Sequence, residues 1–236
     1  MLPRAALVLT IPLALLSCAR DPADQEYLAA LRGEETGMTR DEQIAHIGRA
    51  IAITPGRAWY HETRAIYEID TRRFAAAEAD VDTSIQLADR PYLRFLRGLV
   101  ACQRGEFERS LPDFDRAIAG QPKNSQFYRG RSLARSRVGR FREALADAEQ
   151  LAMMAPQQGE TYYALRMAYA GLGRLREAVQ SFDESLRRRP ELIYPRLARA
   201  DAYERLGDTL RASADRDEAR RREQSSYALS LDPFRY

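Results

Sequence analysis

Phe107, Phe141, Leu175 and Thr209 stand 34 residues apart, and Phe74 lies 33 residues before the first of them. A fixed period of this length is that of a repeated helix pair, and it constrains the chain more than any single motif does. Two residues before four of these positions stands a glycine, Gly105, Gly139, Gly173 or Gly207, the residue best able to end a helix in the left-handed conformation. Three residues after each of the five comes a small side chain, Ala77, Ser110, Ala144, Ala178 and Ala212. Small residues at one register let two helices approach closely. A lone pair of helices cannot bury its own apolar face, so such units must stack on one another to build a continuous core.

Further positions keep the same register. Val81, Phe114, Ala148 and Phe182 occupy one, Ser84, Ala117, Leu151, Ser185 and Ala219 the next, and Pro122, Pro156 and Pro190 close three units. Residues 159–192 carry Tyr162, Leu165, Tyr169, Ala178, Phe182 and Pro190, a pattern that resembles the tetratricopeptide repeat, with Arg166 in place of its glycine. Five units start at Ala58, Pro91, Ser125, Gly159 and Ile193 and fill residues 58–224. Residues 26–57 read as a degenerate first unit, its first helix starting near Glu26 and its second running from Asp41 to Ile53 before Thr54-Pro55. The resemblance implies an all-α fold, a right-handed α-solenoid of helix-turn-helix units. The last helix, about residues 208–224, carries Arg211, Asp215, Arg216, Asp217 and Glu218 with little left to bury, as a terminal cap should. Residues 225–236 bring Tyr227, Leu229, Leu231, Phe234 and Tyr236 after a Ser225-Ser226 hinge, an apolar tail that folds back or binds a partner.

The N-terminus has a different logic. Arg4 precedes an apolar run over residues 5–16, too short for a helix crossing the roughly 30 Å hydrocarbon core and suited to a signal peptide over residues 1–17. Its end, Leu15-Leu16-Ser17-Cys18, resembles the lipobox of bacterial lipoproteins, which implies that Cys18 is the lipid-attachment site and mature N-terminus. An ordinary secretory signal cleaved nearby is the other reading of the same run. Ala19 after the cysteine resembles the pattern sent to the outer membrane, and residues 18–25 read as a short polar tether.

Little in the chain promises chemistry. Two cysteines, Cys18 and Cys102, and two histidines, His46 and His61, are too few for a disulfide scaffold or a Cys/His metal cluster. Neither a phosphate-binding glycine loop nor a nucleophile elbow occurs. No metal, cofactor or catalytic residue is therefore expected, and the chain reads as a non-enzyme. The Asp80/Asp82, Asp113/Asp115 and Asp215/Asp217 pairs recur at one register of the unit, which points to a structural duty. Lys123 is the only lysine among 37 basic residues, yet 34 acidic residues leave a formal net charge of only +3. Without a basic field, nucleic acid is not an expected partner. A strip of arginines free of acidic neighbours would favour an anionic-polymer or nucleic-acid binder instead.

The repeat then nominates a surface and a set of ion pairs. In the resembled family, positions 2, 5, 9 and 12 of the first helix line a groove. Here these include Trp59, Glu62 and Ile66; Tyr92, Phe95, Leu99 and Cys102; Gln126, Arg129 and Leu133; Tyr163 and Met167. This aromatic and aliphatic lining suits a peptide or protein ligand, although the same residues also fit an inter-helix core. Position 7 is Arg64, Arg97, Arg131 and Arg199, and position 23 in the same units is Asp80, Asp113, Asp147 and Asp215. The unit with Leu165 in place of the arginine has Ser181 in place of the aspartate. Positions 7 and 23 stand level in an antiparallel hairpin, so each arginine should reach the aspartate of its own unit or of the unit before. Together these features describe a membrane-anchored periplasmic scaffold or adaptor for protein partners. They resemble those of secretin pilotins of type IV pili, outer-membrane assembly lipoproteins and scaffolds that recruit cell-wall hydrolases.

Overall fold

The computed structural model describes residues 21–230, with side chains to residue 224; Cys18 and the leader expected over residues 1–17 lie outside the described residues. The chain is an all-α repeat solenoid, with thirteen helices and no strand among the described residues. The described residues divide into two compact units, one up to Val100 and the other from Ala101.

The first unit begins with α1 (Pro22–Leu31), the single turn α2 (Gly33–Thr36) and α3 (Arg40–Ile53), followed by α4 (Ala58–Asp70), α5 (Phe74–Leu87) and the start of α6 (Pro91–Gln103). Helix α1 starts earlier than the sequence reading placed it, and residues 22–25 are helix rather than tether. The cause is local: the Asp21 side chain accepts from the Ala23 amide at 3.0 Å and Pro22 takes the first turn, a strong start signal. Helix α3 opens on a reciprocal capping box between Thr39 and Glu42. A cluster of buried residues that includes Tyr27, Ile47, Tyr60, Tyr67, Val81, Leu96 and Val100 forms the core. Polar groups fasten α1 to its neighbours: the Tyr60 hydroxyl donates to buried Asp24, Arg57 reaches Asp24 at 2.5 Å and Asp21 at 2.7 Å, and the Gln43 amide donates to the Ala30 carbonyl at 2.9 Å.

The second unit continues with α7 (Phe107–Gly120), α8 (Ser125–Arg137), α9 (Phe141–Met154), α10 (Gly159–Gly171), α11 (Leu175–Arg188), α12 (Tyr194–Arg205) and α13 (Thr209–Ser230). Helix α13 runs through Ser225-Ser226 to Ser230, so no hinge breaks the backbone there. The α8/α9 and α12/α13 hairpins close tightly, and α8, α10 and α12 lie side by side. The small-residue position is sealed throughout: Ala77, Ser110, Ala144, Ala178 and Ala212 are each at most 2% exposed. Phe182 is fully buried and meets Tyr162 and Tyr169 edge-on at 6.2 and 6.4 Å. The ring of Phe114 lies so close to Gly130 that a β-carbon there would stand 2.7 Å from it, so only glycine lets α8 pack against α7. Gly105, Gly139, Gly173 and Gly207 all have positive φ, and Arg72 takes the same left-handed position in the α4–α5 turn with φ 62°.

Arginine and aspartate run through both units at the paired register. Arg64 contacts Asp80 at 2.5 and 2.7 Å, Arg131 contacts Asp147 at 3.0 and 2.7 Å, and Arg199 contacts Asp215 at 2.8 and 2.6 Å, each through two nitrogens. A third nitrogen reaches back to the preceding hairpin, Arg131 to Asp115 at 2.6 Å and Arg199 to Asp183 at 2.5 Å. Arg97 reaches Asp82 of the preceding hairpin at 2.8 Å, and Asp113 is buried on α7. Asp82 and Asp115, each second in its Asp-x-Asp pair, thus receive the arginine of the next hairpin, whereas Asp217 contacts Arg220 on its own helix. Asp80, Asp147 and Asp215 are 3 to 6% exposed, so their charges depend on these guanidinium groups rather than on water. Bidentate pairing suits arginine and would be lost with lysine.

Two expectations follow for stability. Arg199→Leu strands the Asp215 carboxylate and should cost about 3 kcal/mol, while adding Asp215→Ser imitates the hairpin of Leu165 and Ser181 and should recover at least about half of it. Urea unfolding of both single variants and the double variant measures this coupling; equal or additive losses would refute it. Glu68 is the converse case, 6% exposed with Oε2 buried and unpartnered. Burial, and then nearby Asp80, push its carboxyl up to about 7 from 4.5, against Arg64 and Arg73. Because the folded state holds this proton more tightly than the unfolded chain, stability should fall as pH rises through that interval. Glu68→Gln should raise stability by on the order of 1–2 kcal/mol near pH 8 and change it little near pH 5, measured by urea unfolding at the two values.

Candidate protein-binding face

The first helices of successive hairpins supply this face. In the second unit α9 and α11 pack on one side of α8, α10 and α12, and the other side carries positions 2, 5 and 9. Buried residues at positions 3, 6 and 10, such as Phe127, Gly130 and Ala134 on α8 or Thr161, Ala164 and Ala168 on α10, turn those side chains outward. The open face presents Tyr163, 42% exposed, with Tyr194 at 49% and Leu197 at 43%. Gln126, Arg129, Leu133 and Met167 are half-buried around them. Tyr194 and Leu197 escaped the sequence reading, which followed the groove positions only as far as the unit starting at Gly159. Positions 2 and 5 of the unit starting at Ile193 would have found both.

Charge on this face is sparse and mostly paired. Arg166 lies over the Tyr163 ring at 5.2 Å and contacts Asp201 on α12 at 3.2 Å. Arg129 differs, because its Nε–H is buried without an acceptor. Burial pulls its guanidinium below the ordinary arginine range, opposed only by the more distant charge of Glu160. Cys102 is half-buried and its S–H reaches the Ser110 hydroxyl at 3.3 Å. Burial raises its thiol above the usual range, which keeps it protonated and unreactive.

The corresponding helices of the first unit are more closed. Trp59 is 36% exposed, with Arg57 over its ring at 5.4 Å. Glu62 pairs with Arg90, Tyr92 lies 6.1 Å from Phe95, and Leu99 is half-buried. Ile66 and Phe95, assigned to the groove from sequence, are 9% and 6% exposed and belong to the interior. Ile66 joins the cluster of Tyr60, Tyr67 and Leu96: a position that faces outward in a regular unit turns inward where neighbouring helices close over it. His61 is also internal, with Nδ1 2.9 Å from Asp80 and Nε2 3.2 Å from the Pro55 carbonyl. His46 contacts Glu26 at 2.6 Å. Both histidines therefore join helices to their neighbours.

Residues 159–192 match a family model described as tetratricopeptide repeat. No curated protein gives a significant match to the chain. Solved structures do resemble it. PilW, titled a widely conserved type IV pilus biogenesis factor, has a TM-score of 0.69 at 18% identity, covering 85% of this chain and 93% of its own. A tetratricopeptide repeat protein from Parabacteroides merdae has a TM-score of 0.62 at 16% identity, covering 88% and 82%. YrrB, titled a protein of this class with an unusual peptide-binding site, has a TM-score of 0.61 at 14% identity, covering 77% and 93%. These likenesses establish the fold.

The exposure contrast gives a direct check. Leu197→Lys should change unfolding free energy by no more than about 0.5 kcal/mol, whereas Phe95→Lys, which buries a charge, should cost at least about 3 kcal/mol. Thermal and urea unfolding followed by circular dichroism distinguish the two; a large loss for Leu197→Lys would place that residue in the core.

Proposed function

We propose that this tetratricopeptide-repeat solenoid is a non-enzymatic scaffold or adaptor that holds protein partners at the bacterial cell envelope, anchored through lipid on Cys18. The observation that carries the binding role is the open face of α8, α10 and α12, where Tyr163, Tyr194 and Leu197 stay exposed in a unit whose other aromatic rings are largely internal. Large amphipathic rings on a rigid helical frame provide contact area at low entropic cost, which suits capture of a peptide or a partner helix. Envelope placement rests on the apolar run before Cys18 and on Ala19 after it, which favour an outer-membrane lipoprotein facing the periplasm. The likeness to PilW supports a role in assembling an envelope machine. A nucleic-acid or anionic-polymer binder would need unengaged arginines, yet Arg64, Arg131, Arg135 and Arg199 are held by aspartates.

Anchoring is tested by fractionation and by metabolic labelling with a palmitate analogue. The protein should partition with membranes and take up label, and Cys18→Ser should abolish both, since stable anchoring needs more than one acyl chain. A wild-type protein that stays soluble and unlabelled would refute the anchor. Photo-crosslinking from position 163 in intact cells tests the face, and the expected outcome is a defined protein adduct weakened by Leu197→Lys.

A further inference from the structure

The α8/α10/α12 face contains one cation whose situation the fold itself does not explain. Arg129 makes no hydrogen bond or ion pair among the described residues, its Nε–H is buried without an acceptor, and Glu160 acts on it only at a distance. The arginines around it differ in kind: Arg131 of the paired register, two residues along the same helix, holds both Asp147 and Asp115, and Arg166 on α10 holds Asp201. A guanidinium that is desolvated at Nε and has no counter-charge in contact is a standing cost to the folded chain, while its terminal nitrogens are not sealed in the same way. Exposed apolar surface lies beside it on the same face, at Tyr163 on the adjoining α10 and Leu197 on α12 beyond.

We propose that Arg129 is the anchor for an acidic side chain of an extended peptide segment whose neighbouring aromatic or aliphatic residue rests on Tyr163 and Leu197. This rests on reading the face as partner-binding and adds to it the chemical class of the partner. A carboxylate supplies planar, paired acceptors for the guanidinium fork. A phosphate polymer fits less well, because Asp201 already engages Arg166 and Glu160 shares the face, so a continuous run of negative charge would find few cations to meet it. A peptide with one acid beside one apolar residue meets both features without that repulsion.

A random dodecapeptide library displayed on phage, panned against detergent-solubilised full-length protein, tests this directly. Selected peptides should carry Asp or Glu near an aromatic or aliphatic residue. Binding of the best peptide, measured by fluorescence polarisation, should weaken roughly 10- to 100-fold with Arg129→Gln, recover partly with Arg129→Lys, and weaken also with Tyr163→Ala. Arg129→Met should abolish this binding while leaving the melting temperature unchanged or raised, which separates a binding cation from a structural one.

Peptides that lack acidic residues, or that bind Arg129→Gln as well as wild type while still losing affinity with Tyr163→Ala, would overturn the anchor and leave the binding face standing. Peptides insensitive to Arg129, Tyr163 and Leu197 alike, or no selection at all, would overturn both. Stronger competition by an oligonucleotide or polyphosphate than by the acidic peptide, dependent on Arg129, would overturn the peptide in favour of an anionic polymer.

Discussion

The close approach of two helices at one small residue is the contact on which the other features depend. Ala77, Ser110, Ala144, Ala178 and Ala212 are sealed, and a larger side chain at any of them would pry a hairpin apart. Close approach lets Phe182 reach both Tyr162 and Tyr169, and it brings the guanidinium of one helix level with the carboxylate of the next. The left-handed residue between the helices makes the return tight enough for this. Four glycines supply it without strain, and Arg72 adopts the same backbone conformation where glycine is missing, at an energetic disadvantage for a residue with a β-carbon.

Electrostatics inside the hairpins serves cohesion in two directions. A guanidinium has enough donors to hold its own aspartate with two nitrogens and the preceding aspartate with a third, as Arg131 and Arg199 do. Intra-hairpin and inter-hairpin contacts thereby share one side chain, and stacking is coupled to folding of each pair in the manner of nearest-neighbour arrays. The hairpin of Leu165 and Ser181 replaces the buried charges with apolar packing, Leu165 being 2% exposed within a cluster that includes Tyr162, Tyr169 and Phe182. Arg129 stands outside this arrangement although it lies on the same helix as Arg131.

Much of this was legible because repeated sequence compares itself. Positions where glycine, small residues and aromatics recur identify the turns and the contacts between helices, and the joint loss of arginine and aspartate in one unit points to a pair. Other parts resist such reading. Register tells which residues are equivalent but not how far neighbouring helices close over them, so Ile66 and Phe95 are outward by count and internal in fact. Asp82 and Asp115, the second members of two Asp-x-Asp pairs, have their partners in the next unit, beyond any comparison made within one. The start of α1 depends on Asp21 and Pro22 rather than on the period, because the first hairpin has diverged most; buried Gln43 occupies its small-residue position, packed against Gly33.

That divergence has a consequence for the order of the array. Asp24 of α1 is 1% exposed and takes the Tyr60 hydroxyl together with Arg57. At the position of Tyr60 the other hairpins carry Leu93, Phe127, Thr161 and Pro195, none of which offers a phenol. The opening helix thus acts as a key cut for a single lock. Hairpins that look interchangeable by their shared signature are not permutable, and a shuffled copy that set any of the others beside α1 would leave Asp24 buried without its phenol donor.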